Sequence, residues 1–145
     1  MAAFNNLLQV TLPQGWEDKT IFTFQGPLDS GVQHNIVLLV DNTIDRKTVL
    51  ADYVKSQMAT SKEALPGFEM ISEGEKELPS GTKAYEVVYK YMPSDEQALF
   101  QKQLYVIEDG KAYAFTSTFS KKTLQTIASE VDQIIASFRP IHPEQ

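Results

Sequence analysis

The side chains that could do chemistry in this chain are few and scattered. His34 and His142 are its two histidines, and neither has another histidine or any cysteine near it in sequence, so zinc ligand sets and nucleophile-base pairs find little support. His34 reads as a structural residue at a strand edge. Glu73, Glu75 and Glu77 alternate, and Asp95 precedes Glu96; paired carboxylates serve acid-base catalysis, but acids at every second position of a strand form a solvated face. The seven glycines sit at turn positions, and none builds a phosphate-cradling loop between a strand and a helix. Tyr85, Tyr89 and Tyr91 share a strand stripe that could stack a flat ligand, yet such stripes are more often core. The chain is therefore expected not to be an enzyme and to need no cofactor or metal.

One constellation resists dismissal. Residues 98–119 read as a β-hairpin, because Asp109-Gly110 between two β-rich runs suits a type I′ turn, which needs positive φ at both central residues. A two-residue turn fixes the register, placing Val106, Tyr113, Leu104, Phe115, Lys102, Ser117, Phe100 and Phe119 on one aromatic, core-like side. The other side carries Ile107, Ala112, Tyr105, Ala114, Gln103, Thr116, Gln101 and Thr118. Small residues let an incoming helix approach closely, and amides with hydroxyls can bond polar atoms in a partly dry site; a wet strand face is the plain alternative. Val37, Leu39 and Val88, with Phe22 and Phe24, are expected to extend this lining into a long, partly apolar groove.

The elements that must position it follow from pattern. Strands are expected over 4–12, 19–25 and 34–41, the last covered on both sides because it lacks clean alternation. Trp16 is expected to close one end of the core. A helix over 48–65 carries Val49, Tyr53, Val54, Met58 and Leu65 near one stripe, with Asp45 or Thr48 as cap and Pro66-Gly67 as stop. Strands return at 68–78 and 82–92, then the hairpin. Ser120 opens a final helix in which Leu124, Ile127, Ala128, Val131, Ile134, Ile135 and Phe138 recur at helical spacing before Pro140. The order is α+β, one domain over 1–145, on a mostly antiparallel sheet.

Bulk properties narrow the partners. The 145 residues carry 13 basic and 19 acidic side chains, a net charge of -6 with no basic block, which disfavours nucleic acid. No cysteine is present, and the start MAAFNNLLQV lacks the basic and long apolar regions of a leader, so the cytoplasm is the expected location. The longest apolar run, Ile36 to Val40, is far short of the roughly 20 residues of a spanning helix, so direct membrane insertion is not expected.

Several short motifs, in order, carry a resemblance: Leu12-Pro13-x-Gly15-Trp16-x-Asp18, Leu65-Pro66-Gly67-Phe68, Gln101-x-Gln103, Asp109-Gly110-x-Ala112-Tyr113 and Ala136-Ser137-Phe138. Together they resemble the DcrB-related family over nearly the whole chain, and within it the Eag chaperones, the effector-associated chaperones of bacterial type VI secretion. The resemblance implies a PsbP-like fold, a curved, mostly antiparallel sheet with two helices packed on one face, and a homodimer whose free sheet faces form a clamp. It also implies a partner, the N-terminal region of a membrane-penetrating effector with its transmembrane helices, shielded before loading on the secretion spike. Many DcrB relatives are lipoproteins, and the missing leader favours the chaperone branch. The competing expectation is a dimeric PsbP-like module that docks a folded partner without a membrane segment.

Overall fold

The structure, a computed structural model, describes residues 11–17, 19–29 and 32–139. Six strands, β1 (Ile21–Asp29), β2 (Val32–Asp41), β3 (Glu69–Glu77), β4 (Lys83–Ser94), β5 (Gln97–Glu108) and β6 (Lys111–Phe119), form one sheet in the order β1-β2-β6-β5-β4-β3. Every neighbouring pair is antiparallel. Three helices accompany it: α1 (Leu50–Ala64), α2 (Lys121–Thr126) and α3 (Ala128–Ala136). The α+β class with an antiparallel sheet is the expected one.

The β5-β6 hairpin has the register that its turn demands. Asp109 and Gly110 take φ of 52° and 73°, and the ladder pairs Phe100 with Phe119, Leu104 with Phe115 and Glu108 with Lys111. The aromatic side is core. Ile36, Leu38, Leu104, Val106, Phe115 and Phe119 are buried there under Ile127, at the junction of α2 and α3, and Val131 and Ile135 of α3. Lys102 closes the edge of this layer with Asp132 of α3 at 2.7 Å.

A second core lies on the opposite face, and this corrects the expected layering. Val54 and Met58 of α1 pack on Val87, Tyr89 and Tyr105, whose positions alternate with those of Ala84, Leu104 and Val106. The helices therefore do not share one face: α2 and α3 cover one side of the sheet and α1 covers part of the other. The reason is the tyrosine stripe, which is core as expected but is too large and apolar to be left in water.

Other expectations shift in the same way. β2 is buried on the α2-α3 side through His34, Ile36 and Leu38, while Leu39 on its other side stays 45% exposed, so this strand is not covered on both faces. His34 is a buried structural residue whose ring lies 4.9 Å from that of Phe119. Trp16 is 71% exposed and closes no core. Neither Asp45 nor Thr48 caps α1; Val49 holds the cap position without a side-chain bond, and Asp45 instead takes the Lys47 N–H in the preceding turn. Ser120 does cap the last helical segment, in a reciprocal box with Thr123. That segment breaks at Ile127 into α2 and α3, where the Thr126 hydroxyl bonds the Thr123 carbonyl in competition with the helix ladder. Of the strand expected over 4–12, residues 4–10 lie outside the described residues, and 11 and 12 are not in a strand.

Candidate functional site

Strand pairing decides which of the ten expected groove residues share a surface. Tyr105 pairs with Ala114, Gln103 with Thr116 and Gln101 with Thr118; Val37 pairs with Thr116 and Leu39 with Ala114. Seven of the ten, namely Val37, Leu39, Gln101, Gln103, Tyr105, Thr116 and Thr118, thus lie on the α1 face. Phe22 and Phe24 pair with Leu38 and Ile36 and pack into the α2-α3 core, and Val88 pairs with Lys102 on that same side. Those three do not belong to the groove. Ile21, one position before Phe22, takes the place expected of the phenylalanines, because it pairs with Leu39.

The polar members are bonded into two rows. In one, the Tyr89 hydroxyl donates to the Gln101 side-chain carbonyl, and Gln101 Nε2 donates to Thr118 Oγ1 at 3.2 Å. In the other, the Tyr105 hydroxyl donates to Gln103 Oε1, and Gln103 Nε2 donates to Thr116 Oγ1 at 3.2 Å. These bonds use each amide carbonyl and one amide N–H. Each glutamine keeps a second N–H and each threonine its hydroxyl hydrogen to give to whatever lies on the strip. The rows fix the rotamers beforehand, so a partner meets an ordered polar surface and little side-chain entropy is lost on contact.

Between α1 and the β1-β2 side of the sheet runs an open cleft of about 360 Å³. Ala112, Ala114 and Thr116 of β6 make its floor with Leu39 and Gln103. Tyr53, Gln57 and Ser61 of α1 form one wall, and Ile21 stands at the other. Asp41, Asn42 and Thr43 close the end nearest the Asp109-Gly110 turn, since Asp41 pairs with Ala112. The α1 wall and this end were not legible as site residues in the sequence; the polar run Asp41-Asn42-Thr43 after a strand was the available signal.

Asp41, Tyr53 and Tyr105, which line the cleft, and Tyr89 beside them have shifted ionisation. Partial burial pushes the Asp41 carboxyl up, but bonds from the Thr43 hydroxyl and amide, a bond from Tyr53 and the nearby Lys19 charge outweigh it and leave it below 3.8. Burial, then the bond to Asp41 and its charge, push Tyr53 up to about 12. Burial does the same to Tyr89, to about 12. Tyr105 is raised by burial and by its neighbours Tyr89 and Tyr53. At neutral pH the phenols therefore stay neutral and Asp41 stays a carboxylate, with the Lys19 side chain also lining the cleft. Among the described residues no three His, Asp or Glu side chains gather as a metal site.

Comparison with known proteins places the fold and the family. No curated protein matches the chain. Among solved structures it is similar to PA94, a protein of unknown function from Pseudomonas aeruginosa, at TM-score 0.76 and 20% identity over 90% of each chain. It is also similar to cyanobacterial PsbP (CyanoP) from Synechocystis sp. PCC 6803, at TM-score 0.58 and 15% identity, covering 83% of this chain and 82% of that one. LpqN of Mycobacterium tuberculosis, involved in cell envelope biogenesis, aligns at TM-score 0.48 and 15% identity over 82% of each chain. The fold is thus PsbP-like. Residues 8–137 match DcrB, and the chain belongs to the DcrB family.

Proposed function

We propose that this protein is an effector chaperone of bacterial type VI secretion, which in the cytoplasm shields the N-terminal transmembrane helices of a cognate effector before loading on the secretion spike. Family membership and the PsbP-like fold favour an interaction or accessory role, and the motif resemblance to Eag chaperones supplies the specific reading. The observation that carries it is the half-covered second face: a floor of small residues with the apolar Leu39, Ile21 at its wall, and two rows of pre-bonded amides and hydroxyls. Such a surface suits an apolar helix that must be held in water and later released. Twenty exposed apolar side chains at up to a few kcal/mol each would otherwise drive aggregation.

Length supports the homodimer in this reading. From Ala112 to Thr118 the α1-facing row of β6, whose first three members floor the cleft and whose last takes the Gln101 bond, extends about 20 Å at roughly 3.3 Å per strand residue. That matches about 13 residues of helix at 1.5 Å each, against the roughly 20 needed to span a bilayer. One protomer covers about two-thirds of such a helix, and a second copy supplies the rest.

The test is co-expression with the product of the neighbouring gene, which this reading expects to be a large effector with apolar segments, followed by pull-down with and without those segments. Binding is expected to require those segments and to be lost in a Val37→Asp, Leu39→Asp double variant that remains folded. Retention of an effector stripped of its apolar segments would favour the module that docks a folded partner.

A further inference from the structure

Asp41 is the one carboxylate among the side chains that line the cleft, and it stands at the closed end. Its oxygens are partly committed. Oδ1 takes the Thr43 N–H at 2.9 Å and the Thr43 hydroxyl at 2.6 Å, and Oδ2 takes the Tyr53 hydroxyl at 3.0 Å. A carboxylate offers about four acceptor sites, so Oδ2 keeps one. Thr43 gives its hydroxyl hydrogen to Asp41 and so retains acceptor capacity, and Asn42 beside it carries an amide carbonyl. Lys19, which also lines the cleft and whose charge acts on Asp41, is paired with Glu17 at 3.1 Å.

Asp, Asn and Thr are residue types favoured at helix starts, because their side-chain oxygens accept N–H groups that the first turn cannot satisfy itself. Here all three sit at one end of a groove whose floor runs along a strand. A helix laid on that floor ends against them. Its amino-terminal turn would present orphan N–H groups and partial positive charge to a carboxylate, whereas its carboxyl-terminal turn would present carbonyl oxygens to the same charge. The two directions are therefore unequal. α1 starts at this end, so the favoured occupant lies parallel to it; helix-dipole effects fade within a turn, and direct bonds at the end wall outweigh that opposition.

We infer that Asp41, with Asn42 and Thr43 beside it, caps in trans the amino-terminal turn of the bound apolar helix and so fixes its direction along β6. The inference rests on the helix-shielding reading above. A lysine flanking the helix is the rival partner for the carboxylate. A lysine side chain is long and can reach Asp41 from many poses, which would set no direction.

The experiment uses the full chain, whose lack of cysteine allows a single spin label at Lys111→Cys, beside the closed end, or at Lys121→Cys, beyond the far end of β6. The ligand is a twenty-residue Leu-Ala peptide, blocked at both termini and labelled near one end or the other. Pulsed dipolar spectroscopy should find the peptide's amino end near position 111 and far from 121. Asp41→Asn should weaken binding roughly fivefold and erase the bias. Adding one lysine at the carboxyl end should leave the direction unchanged. Equal populations of both directions, a bias that survives Asp41→Asn, or docking of the lysine-bearing end at Asp41 would each overturn the inference while leaving helix shielding intact. A peptide that does not bind at all would overturn the shielding reading itself.

Discussion

The Tyr53 hydroxyl donates to Oδ2 of Asp41 at 3.0 Å and so ties the start of α1 to the last residue of β2, twelve positions earlier. This bond sets the width of the cleft at its closed end, because Tyr53 is wall and Asp41 is end. Tyr53 also leans on Tyr105 edge to face, with ring centroids 6.1 Å apart. Tyr53→Phe keeps that packing and removes only the bond. Urea unfolding should show a loss of about 1 kcal/mol, and a variant as stable as the parent would mean that the bond contributes nothing.

The same pair predicts two pH limits of opposite sign. The Asp41 carboxyl lies below 3.8 in the folded state, so its contribution is present above about pH 4 and is lost as pH falls through the lower folded value. Tyr53 is raised from 10.0 to about 12, so its contribution is complete below pH 10 and is lost as pH rises from there through about 12. Absorbance titration of the phenolates should show a late-ionising group missing in Tyr53→Phe. Asp41→Asn should remove part of the acid-side loss of stability.

Phe22 and Phe24 pack into the α2-α3 core, whereas Leu39, on the other face of the neighbouring strand, is 45% exposed. Phe24→Ala should therefore destabilise the fold by about 2–3 kcal/mol, and Leu39→Ala by less than about 1. Thermal unfolding of the two variants decides it. Equal losses would mean that β1 and β2 are paired in another register.

Gly67, just after α1, has φ of +65°, and a Cβ there would meet Met92 Cγ at 3.0 Å and Cβ at 3.1 Å. Gly67→Ala should cost more than about 1 kcal/mol from backbone strain and contact together. Adding Met92→Ala should relieve the Cγ contact but neither the Cβ contact nor the strain. A double-mutant cycle should thus show favourable coupling between the two changes, and strict additivity would rule out the contact.

Lys102 joins β5 to α3 through Asp132 at 2.7 Å, with Glu86 at 3.9 Å on the strand side. Its side chain is only partly exposed, so Lys102→Met should cost about 1–2 kcal/mol, between the values for surface and buried pairs. A second change, Asp132→Leu, should restore part of that loss by removing the stranded carboxylate. No recovery would argue that packing of the lysine stem, not its charge, holds α3.

What the sequence by itself determined is everything fixed by short-range geometry. Asp109-Gly110 admits one tight turn, and with period-two alternation that turn pairs Gln101 with Thr118 and Gln103 with Thr116 without reference to the rest of the molecule. The Ser120 cap and the buried stripe of Ile127, Val131 and Ile135 are local in the same sense. Facing across longer connections was decided only by tertiary structure. The pairing of β1 with β2 shifts register between Gln25 and Leu28, so the side that Phe22 and Phe24 take is set by pairing with Ile36 and Leu38 and not by alternation alone. α1 has a weakly marked stripe that would fit either side of the sheet; the apolar patch of Val87, Tyr89 and Tyr105 drew it to the face opposite α2 and α3. That choice made the cleft, because a helix covering only part of a sheet face leaves the strands beside it open.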